Sequence, residues 1–371
     1  MSSERLRAAV IGALMTEPAS ELNAECKDLG IDGAWRLLTS ADARVPAWMR
    51  RRLASLDASA VMRRARRVDA RLLIPGDALW PPQLGSLGFA EPWALWVRGP
   101  GFAATLDRRA VAIVGARACT DDGRRVASEF AAGIAQHGNA IVSGGAVGID
   151  AAAHLGALAV DGVTVAVLAS GVDVPYPAEH SDLFERIAKE GALVSEALPG
   201  SGVTRPAFLV RNRLIAALAY GTVVVEARLR SGSISTYVHA RAMSRVCMAV
   251  PGPVTRPEHA GSNALLQADA SLVTSAGDVL ALVEPLGSVE APEPRAPSVE
   301  WDALSADERA VHEALPTRGG TDVATLLGRL ETDATPPRVI AALALLEQRG
   351  LVREQVDGTW CRARRLRGAV A

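Results

Sequence analysis

Cysteine is scarce in this chain and forms no pattern. Cys26, Cys119, Cys247 and Cys361 stand far apart with no C-x-x-C among them. Neither a disulfide framework nor a zinc site is expected, and the thiols read as free in a reducing compartment. The six histidines likewise lack H-E-x-x-H or any other metal-ligand spacing. No apolar run is long enough to span a bilayer, and the first residues lack a charged-then-apolar leader. The expectation is a cytoplasmic protein without membrane contact. Lysine is nearly missing: of 40 basic residues only Lys27 and Lys189 are lysines. Arginine is the better fork for phosphate, although a base-composition bias yields the same preference. With 41 acidic residues against those 40, the net charge is −1. That excludes polyanion binding through global basicity, so any such site is a local patch.

What is present is a folded chain of 371 residues, 49% of them hydrophobic, with room for two or three domains. Residues 1–70 carry 12 basic against 9 acidic side chains, with runs at Arg50-Arg51-Arg52 and Arg63-Arg64-Ala65-Arg66-Arg67. Leu6, Val10 and Leu14 fall at helical spacing there, which predicts a small helical domain. Residues 71–108 hold turn and aromatic residues, Trp80-Pro81-Pro82, Trp93 and Trp96 among them. They read as a lead-in to the next domain, with tryptophans that pack rather than stack on bases.

From Ala110 the pattern becomes short apolar runs alternating with helical stretches. The runs are Val111–Val114, Ala140–Val142, Val163–Leu168, Ala192–Val194, Thr222–Val225, Cys247–Val250 and Ser271–Val273. Helical stretches fall near 123–137, 150–160, 179–190, 205–219, 233–244 and 262–269. Runs this continuous in β-branched and apolar residues suit parallel strands covered on both faces. The alternation predicts an extended Rossmann-like, doubly wound, mainly parallel sheet over 71–285, with ligands at the strands' carboxyl ends. Prolines 285, 292, 294 and 297 mark a linker over 286–300. Residues 301–371 then offer a capping box at Ser305-Ala306-Asp307-Glu308, two further helices, and a hairpin signal at Asp357-Gly358. Three helices followed by a hairpin predict a winged-helix domain, here with a basic tail (Arg362, Arg364, Arg365, Arg367).

Several strand–loop–helix junctions carry candidate chemistry. Ser143-Gly144-Gly145-Ala146-Val147-Gly148-Ile149-Asp150 ends an apolar run and opens an alanine-rich helix. Its glycines let backbone approach an anion closely, and the helix start leaves N–H groups free. Asp150 reads as that helix's cap and His154 as a hydrogen-bonded structural histidine rather than a metal ligand. An earlier loop, Gly115-Ala116-Arg117, adds a guanidinium. Arg211-Asn212-Arg213 suits paired phosphate contacts, and taken alone equally fits a solvated helix start. Glu226-Ala227-Arg228-Leu229-Arg230-Ser231-Gly232-Ser233 follows a buried-type strand, and its hydroxyls and N–H groups suit sequence-neutral phosphate binding. Neither glycine loop is a P-loop or a G-x-G-x-x-G, and no G-x-S-x-G elbow or two-metal carboxylate cluster is present. Several anion loops at one sheet edge favour an extended polyanion groove over a single-nucleotide pocket.

Taken together, these segments resemble the DNA-processing protein A family (DprA, also called Smf). Val111–Arg117, Ser143–His154, Ala166–Leu168 with Gly171 and Tyr176-Pro177, Ser195-Glu196, Phe208 with Arg211-Asn212-Arg213, Val225–Ala227 with Ser231-Gly232-Ser233, and Val250–Gly252 with Gly261-Ser262-Asn263 come in the family's order. The resemblance implies a Rossmann-like core that binds single-stranded DNA, forms a homodimer, and helps load RecA recombinase onto incoming DNA during natural transformation. It implies no catalysis, no cofactor and no metal. It also implies that the 1–70 module is the family's helical domain of SAM or helix-hairpin type. Arg117 would grip a phosphate, the Ser143–Gly148 loop would offer backbone donors, and Arg211 and Arg213 would extend the track. Two positions depart from the family's usual residues: Ala116 stands where Ser is frequent, and Val147 where many members place a cation. Two other readings stay open from the residues. One is a Rossmann-type nucleotide-processing enzyme, phosphoribohydrolase-like, whose P-G-G-x-G-T-x-x-E signature is missing. The other is a duplex-DNA regulator acting through the winged helix, whose third helix carries few cations beyond Arg338 and Arg349.

Overall fold

The structure, a computed structural model, describes residues 3–15, 17–18, 20–103, 108–285, 304–316, 319–330, 334–355 and 357–363. The expected linker over 286–300 and the tail arginines 364, 365 and 367 lie outside the described residues. The chain divides into two compact units, Met1–Pro292 and Glu293–Ala371.

The first unit begins with four helices, α1 (Ser3–Leu14), α2 (Glu21–Thr39), α3 (Ala47–Ala54) and α4 (Ala58–Arg67). A nine-stranded sheet follows: β1 (Arg71–Leu73), β2 (Leu95–Arg98), β3 (Val111–Val114), β4 (Ile141–Ser143), β5 (Thr164–Val167), β6 (Ala192–Ser195), β7 (Gly221–Val224), β8 (Val246–Ala249) and β9 (Ser271–Leu272). Its order is β1-β2-β6-β5-β4-β3-β7-β8-β9. Strands β3 to β9 pair in parallel, while β2 runs antiparallel to both β6 and β1. The interleaved helices are α5 (Asp121–Gln136), α6 (Ile149–Leu158), α7 (Ser181–Glu190), α8 (Arg205–Leu218), α9 (Gly232–Ala242), α10 (Ala260–Ala268) and α11 (Ala276–Val283).

Alternation along each strand feeds two apolar layers. From β3, Ala112 and Val114 join Leu214, Ile215 and Tyr237 on one face. Val111 and Ile113 join Phe130, Ile134, Ala153 and Val279 on the other. Every residue of β3, β5, β6 and β7 is buried, which is why these strands read as unbroken apolar runs rather than alternating ones. The mixed α/β fold with a mostly parallel sheet is as the sequence predicts.

Two strands were not expected. Residues 71–108 read as turns and aromatics, yet they supply β1 and β2 at the sheet's edge. Strands of three and four residues among prolines give no period to detect. The tryptophans do pack: Trp80, Trp93 and Trp96 are all buried. The N-terminal helices share a core with the sheet's flank, where Ala8, Ala9, Val61 and Ala65 contact the cluster holding Trp96, Leu168 and Phe184.

The sheet's chain order reverses beside β3. From β3 the chain steps to β4, β5 and β6 on one side, then returns to β7, β8 and β9 on the other. A doubly wound sheet opens a crevice at such a point, beyond the strands' carboxyl ends.

The second unit holds α12 (Ala306–Ala314), α13 (Val323–Leu327) and α14 (Pro336–Gln348), then the antiparallel pair β10 (Val352–Glu354) and β11 (Trp360–Arg362). Ser305 and Glu308 form the expected capping box. Leu326, Val339, Leu343, Leu346 and Val352 make its core. Arg362 turns inward, donating to the His312 carbonyl at 3.0 Å and the Glu313 carbonyl at 2.8 Å.

Candidate functional site

A cleft of about 410 Å³ occupies the crevice between β3 and β7. The loop after β3 contributes Gly115, Ala116, Arg117 and Ala118; the loop into α6 and its first turn contribute Ala146 and Asp150; α8 contributes Arg211 and Asn212. Arg228, Arg230, Ser231, Gly232 and Ser233, the segment between β7 and α9, close the far side. Four arginines thus meet a single carboxylate among the described residues that line it.

Arg117 is exposed and lies over the Phe208 ring, 4.8 Å from its centroid. A stacked guanidinium keeps its N–H fork turned outward at little entropic cost. Its loop is pinned from beneath by Glu226, a fully buried residue just past β7. The Ala116 N–H donates to the Glu226 carbonyl at 2.8 Å, and the Thr120 N–H to the Glu226 carboxylate at 2.9 Å. The candidate segment that begins at Glu226 does not by its pattern give Glu226 this role. The signal available was a carboxylate directly after a buried strand, where an unpaired charge is costly and must find donors.

Opposite Arg117, Ser231 caps α9 by accepting the Ser233 N–H and bonds the Ser233 hydroxyl at 2.7 Å. The helix N-terminus therefore points its partial positive charge into the cleft. Asn212 bridges two walls, donating to the Gly232 carbonyl at 3.1 Å. Arg228 pairs with Glu258 at 2.9 Å but is 61% exposed, so that pair is weak and exchangeable. Arg230 is exposed, with no ion-pair partner among the described residues. Arg228 and Arg230 line the cleft as well, a placement that their sequence beside phosphate-suited hydroxyls does not distinguish from that of solvated arginines.

The glycine-rich loop behaves differently from expectation. Gly148, not Asp150, is the N-cap of α6, with no side-chain cap. Asp150, in the first turn, folds its carboxylate back to accept the Gly144 N–H at 3.1 Å and the Ala146 N–H at 3.4 Å. Two of the donors expected to face a ligand anion are thus taken by the chain's own carboxylate. Burial pushes the Asp150 carboxyl up from its ordinary range, opposed by the Arg211 charge and these N–H groups. Ser143 is buried and donates to the Ile113 carbonyl at 2.6 Å. Ser143, Gly144, Gly145 and Gly148 do not line the cleft; they form the wall behind it.

Arg211 and Arg213 part company. Arg211 is buried against that wall and donates to the Gly144 carbonyl at 2.6 Å and to the Val167 carbonyl. A Cβ on Gly144 would sit 2.6 Å from its guanidinium, so glycine is what admits the arginine. Burial pulls the Arg211 pKa down to about 10; Asp150 opposes this and Arg117 adds to it. Arg213 does not reach the cleft. It is 5% exposed, donates to both Glu196 oxygens at 2.6 and 2.7 Å, and also donates to the Ala90 and Val210 carbonyls.

His154, on α6, is fully buried and bonds Thr164 Oγ1 through Nδ1 at 2.7 Å. The Thr164 hydroxyl donates to the Ile141 carbonyl, which leaves its oxygen to accept from His154 Nδ1–H. Among the described residues no group of three or more His, Cys, Asp or Glu could hold a metal ion, and no helix is long and apolar enough to cross a membrane. Burial first, then the Arg211 and His180 charges, push the His154 pKa from 6.5 down to about 3. Its folded-state pKa lies below its unfolded one, so the unfolded chain binds the extra proton. The stability this residue confers is present above about pH 6.5 and is lost as pH falls toward 3. The slope is at most about 1.4 kcal/mol per pH unit. Denaturant titrations between pH 7 and pH 4 should give a shallower stability decline in His154→Asn than in the native protein.

The fold and cleft define a class: a Rossmann-like α/β protein with a cationic cleft at its topological switch point. Residues 71–284 match the family described as DNA recombination-mediator protein A, and the chain belongs to that family, as the DprA/Smf motifs led one to expect. A Mycobacterium tuberculosis protein that carries the DprA name is 45% identical over 315 residues, covering 82% of this chain and 79% of its own. The X-ray structure of DNA processing protein A from Streptococcus pneumoniae matches with a TM-score of 0.64 and 30% identity, covering 77% of this chain and 99% of that one. A Helicobacter pylori structure, described as giving that relative's single-stranded DNA binding mode, matches with a TM-score of 0.51 and 27% identity over 57% of this chain and 94% of that one.

Proposed function

We propose that this protein is a single-stranded DNA-binding recombination mediator whose strand track crosses the arginine cleft. It acts in the cytoplasm as a homodimer, protects incoming DNA and helps load RecA during natural transformation, with no catalytic step of its own. The observation that carries this reading is the convergence of Arg117, Arg228 and Arg230 with the Ser231 helix start on one open crevice. Three solvent-facing guanidinium groups, with no nucleophile–base pair among the described residues that line the cleft, suit phosphate gripping rather than turnover. The Helicobacter pylori relative supports single-stranded DNA as the ligand. In this reading the chain comprises a helical domain over 1–70, the core over 71–285, a linker over 286–300, and a winged-helix domain with a basic tail over 301–371.

The test is a titration of the intact protein with single- and double-stranded oligonucleotides across salt. Binding should be salt-sensitive and should favour the single strand. Arg117→Ala should weaken single-strand affinity and lower the salt slope by about 0.7, the loss of one phosphate contact. Unchanged affinity and slope would remove Arg117 from the track.

A further inference from the structure

A second cavity, of about 460 Å³, opens where the N-terminal helices meet the carboxyl ends of β5 and β6. Its size falls within the range of small-molecule sites. Its floor is apolar, built from Leu168, Val210 and Leu214. Trp48 and Arg52, one helical turn apart on α3, line it together with Ser201, Thr204 and two carboxylates, Glu17 and the Arg213-paired Glu196. The indole is 38% exposed, and the exposed Arg52 has no hydrogen-bond or ion-pair partner for its guanidinium among the described residues.

Helix α8 is the partition between this cavity and the arginine cleft. Val210 and Leu214 face the cavity, Asn212 and Ile215 face the cleft, and Arg211 lines both. Arg211 also ties the two chemically. Its guanidinium donates to the Gly144 carbonyl behind the cleft and to the Val167 carbonyl, one residue before the cavity's Leu168.

We propose that this cavity seats a nucleobase and that its occupancy is coupled to the phosphate cleft through Arg211. The lining selects that chemistry. An inorganic anion would leave the apolar floor wet and would meet the Glu17 and Glu196 carboxylates, and an aliphatic ligand would leave these groups, Arg52 and Thr204 unused. A flat heteroaromatic ring satisfies both, with its face on the floor and the indole, and its polar edge at the rim. The base belongs either to the strand whose phosphates cross the cleft or to a free nucleotide. The first source rests on the function proposed above; the second does not.

The experiment uses the full-length protein, a short single strand, and the same strand with abasic residues that keep the phosphates. The native protein should bind the natural strand about tenfold more tightly than the abasic one, the scale of one stacked base. Ala207→Leu narrows the cavity from α8, and Trp48→Ala removes an exposed wall without touching the core. Each should lose most of that ratio while binding the abasic strand as the native protein does. Calorimetry with guanosine monophosphate, positive for the native protein and negative for Ala207→Leu, assigns the cavity to a free nucleotide. A natural-to-abasic ratio near one with no mononucleotide binding overturns the proposal, as does a ratio that survives in both variants. If Arg117→Ala leaves abasic-strand binding unchanged while the ratio persists, the cleft reading fails and the base site stands.

Discussion

Replacing Gly148 with valine should cost about 3 kcal/mol or more of stability and abolish single-strand binding in whatever folds. Gly148 has φ +87°, a backbone conformation that side chains rarely adopt. An added Cβ would lie 2.4 Å from the Ala116 carbonyl oxygen and 2.5 Å from that of Arg117. Both contacts are to backbone, so no side chain can rotate away. Strain of this kind costs roughly 1–3 kcal/mol before the clash is counted. The clash falls on the loop that aims Arg117, and the Ile149 N–H bond to the Ala116 carbonyl, 3.3 Å, would be lost with it. Chemical denaturation together with a binding titration checks both halves. A variant with native stability and affinity would show that the loop does not hold Arg117 in place.

Replacing Arg213 with methionine should destabilise the fold by about 3 kcal/mol and leave intrinsic DNA affinity intact. The pair with Glu196 is bidentate and nearly buried, at 5% and 17% exposure. Removing one partner of such a pair typically costs 3–5 kcal/mol, and the slight exposure of Glu196 places this case at the low end. The Ala90 and Val210 carbonyls would lose a donor as well. Adding Glu196→Gln should recover much of the loss, because the stranded carboxylate is what makes the single change costly. Affinity corrected for the folded fraction separates this structural role from membership of the phosphate track that the family resemblance implies. A stable Arg213→Met variant with weakened binding would restore Arg213 to that track.

These two residues show where the sequence is legible and where it is not. The parallel strands are readable because burial on both faces leaves their runs unbroken, and the switch-point cleft follows from their order. The Arg117 and Ser231 loops are readable for the same reason, since each leaves a buried strand at its carboxyl end. Helix α11 falls outside the expected helical stretches although Ser275 and Asp278 form a capping box at its start. The fate of Arg213 is a different matter. Its partner Glu196 sits 17 positions away, just past β6, and only the folded chain decides that Arg213 turns inward while Arg117 turns out. Asp150 likewise reads as a helix cap because aspartate is a favoured N-cap residue. That its carboxylate takes the Gly144 and Ala146 N–H groups depends on the loop's curl, which composition does not encode.

The central claim, that the open arginines of the switch-point cleft carry the strand's phosphates, is tested most directly by one salt series. The intact protein and an Arg117→Ala/Arg228→Ala/Arg230→Ala variant would be titrated with the same single strand from low to high salt. All three side chains are exposed, so the variant should keep the native melting profile. The account predicts a large loss of affinity at low salt and a salt slope smaller by roughly 2, three phosphate contacts at about 0.7 each. A folded variant with the native slope would contradict it.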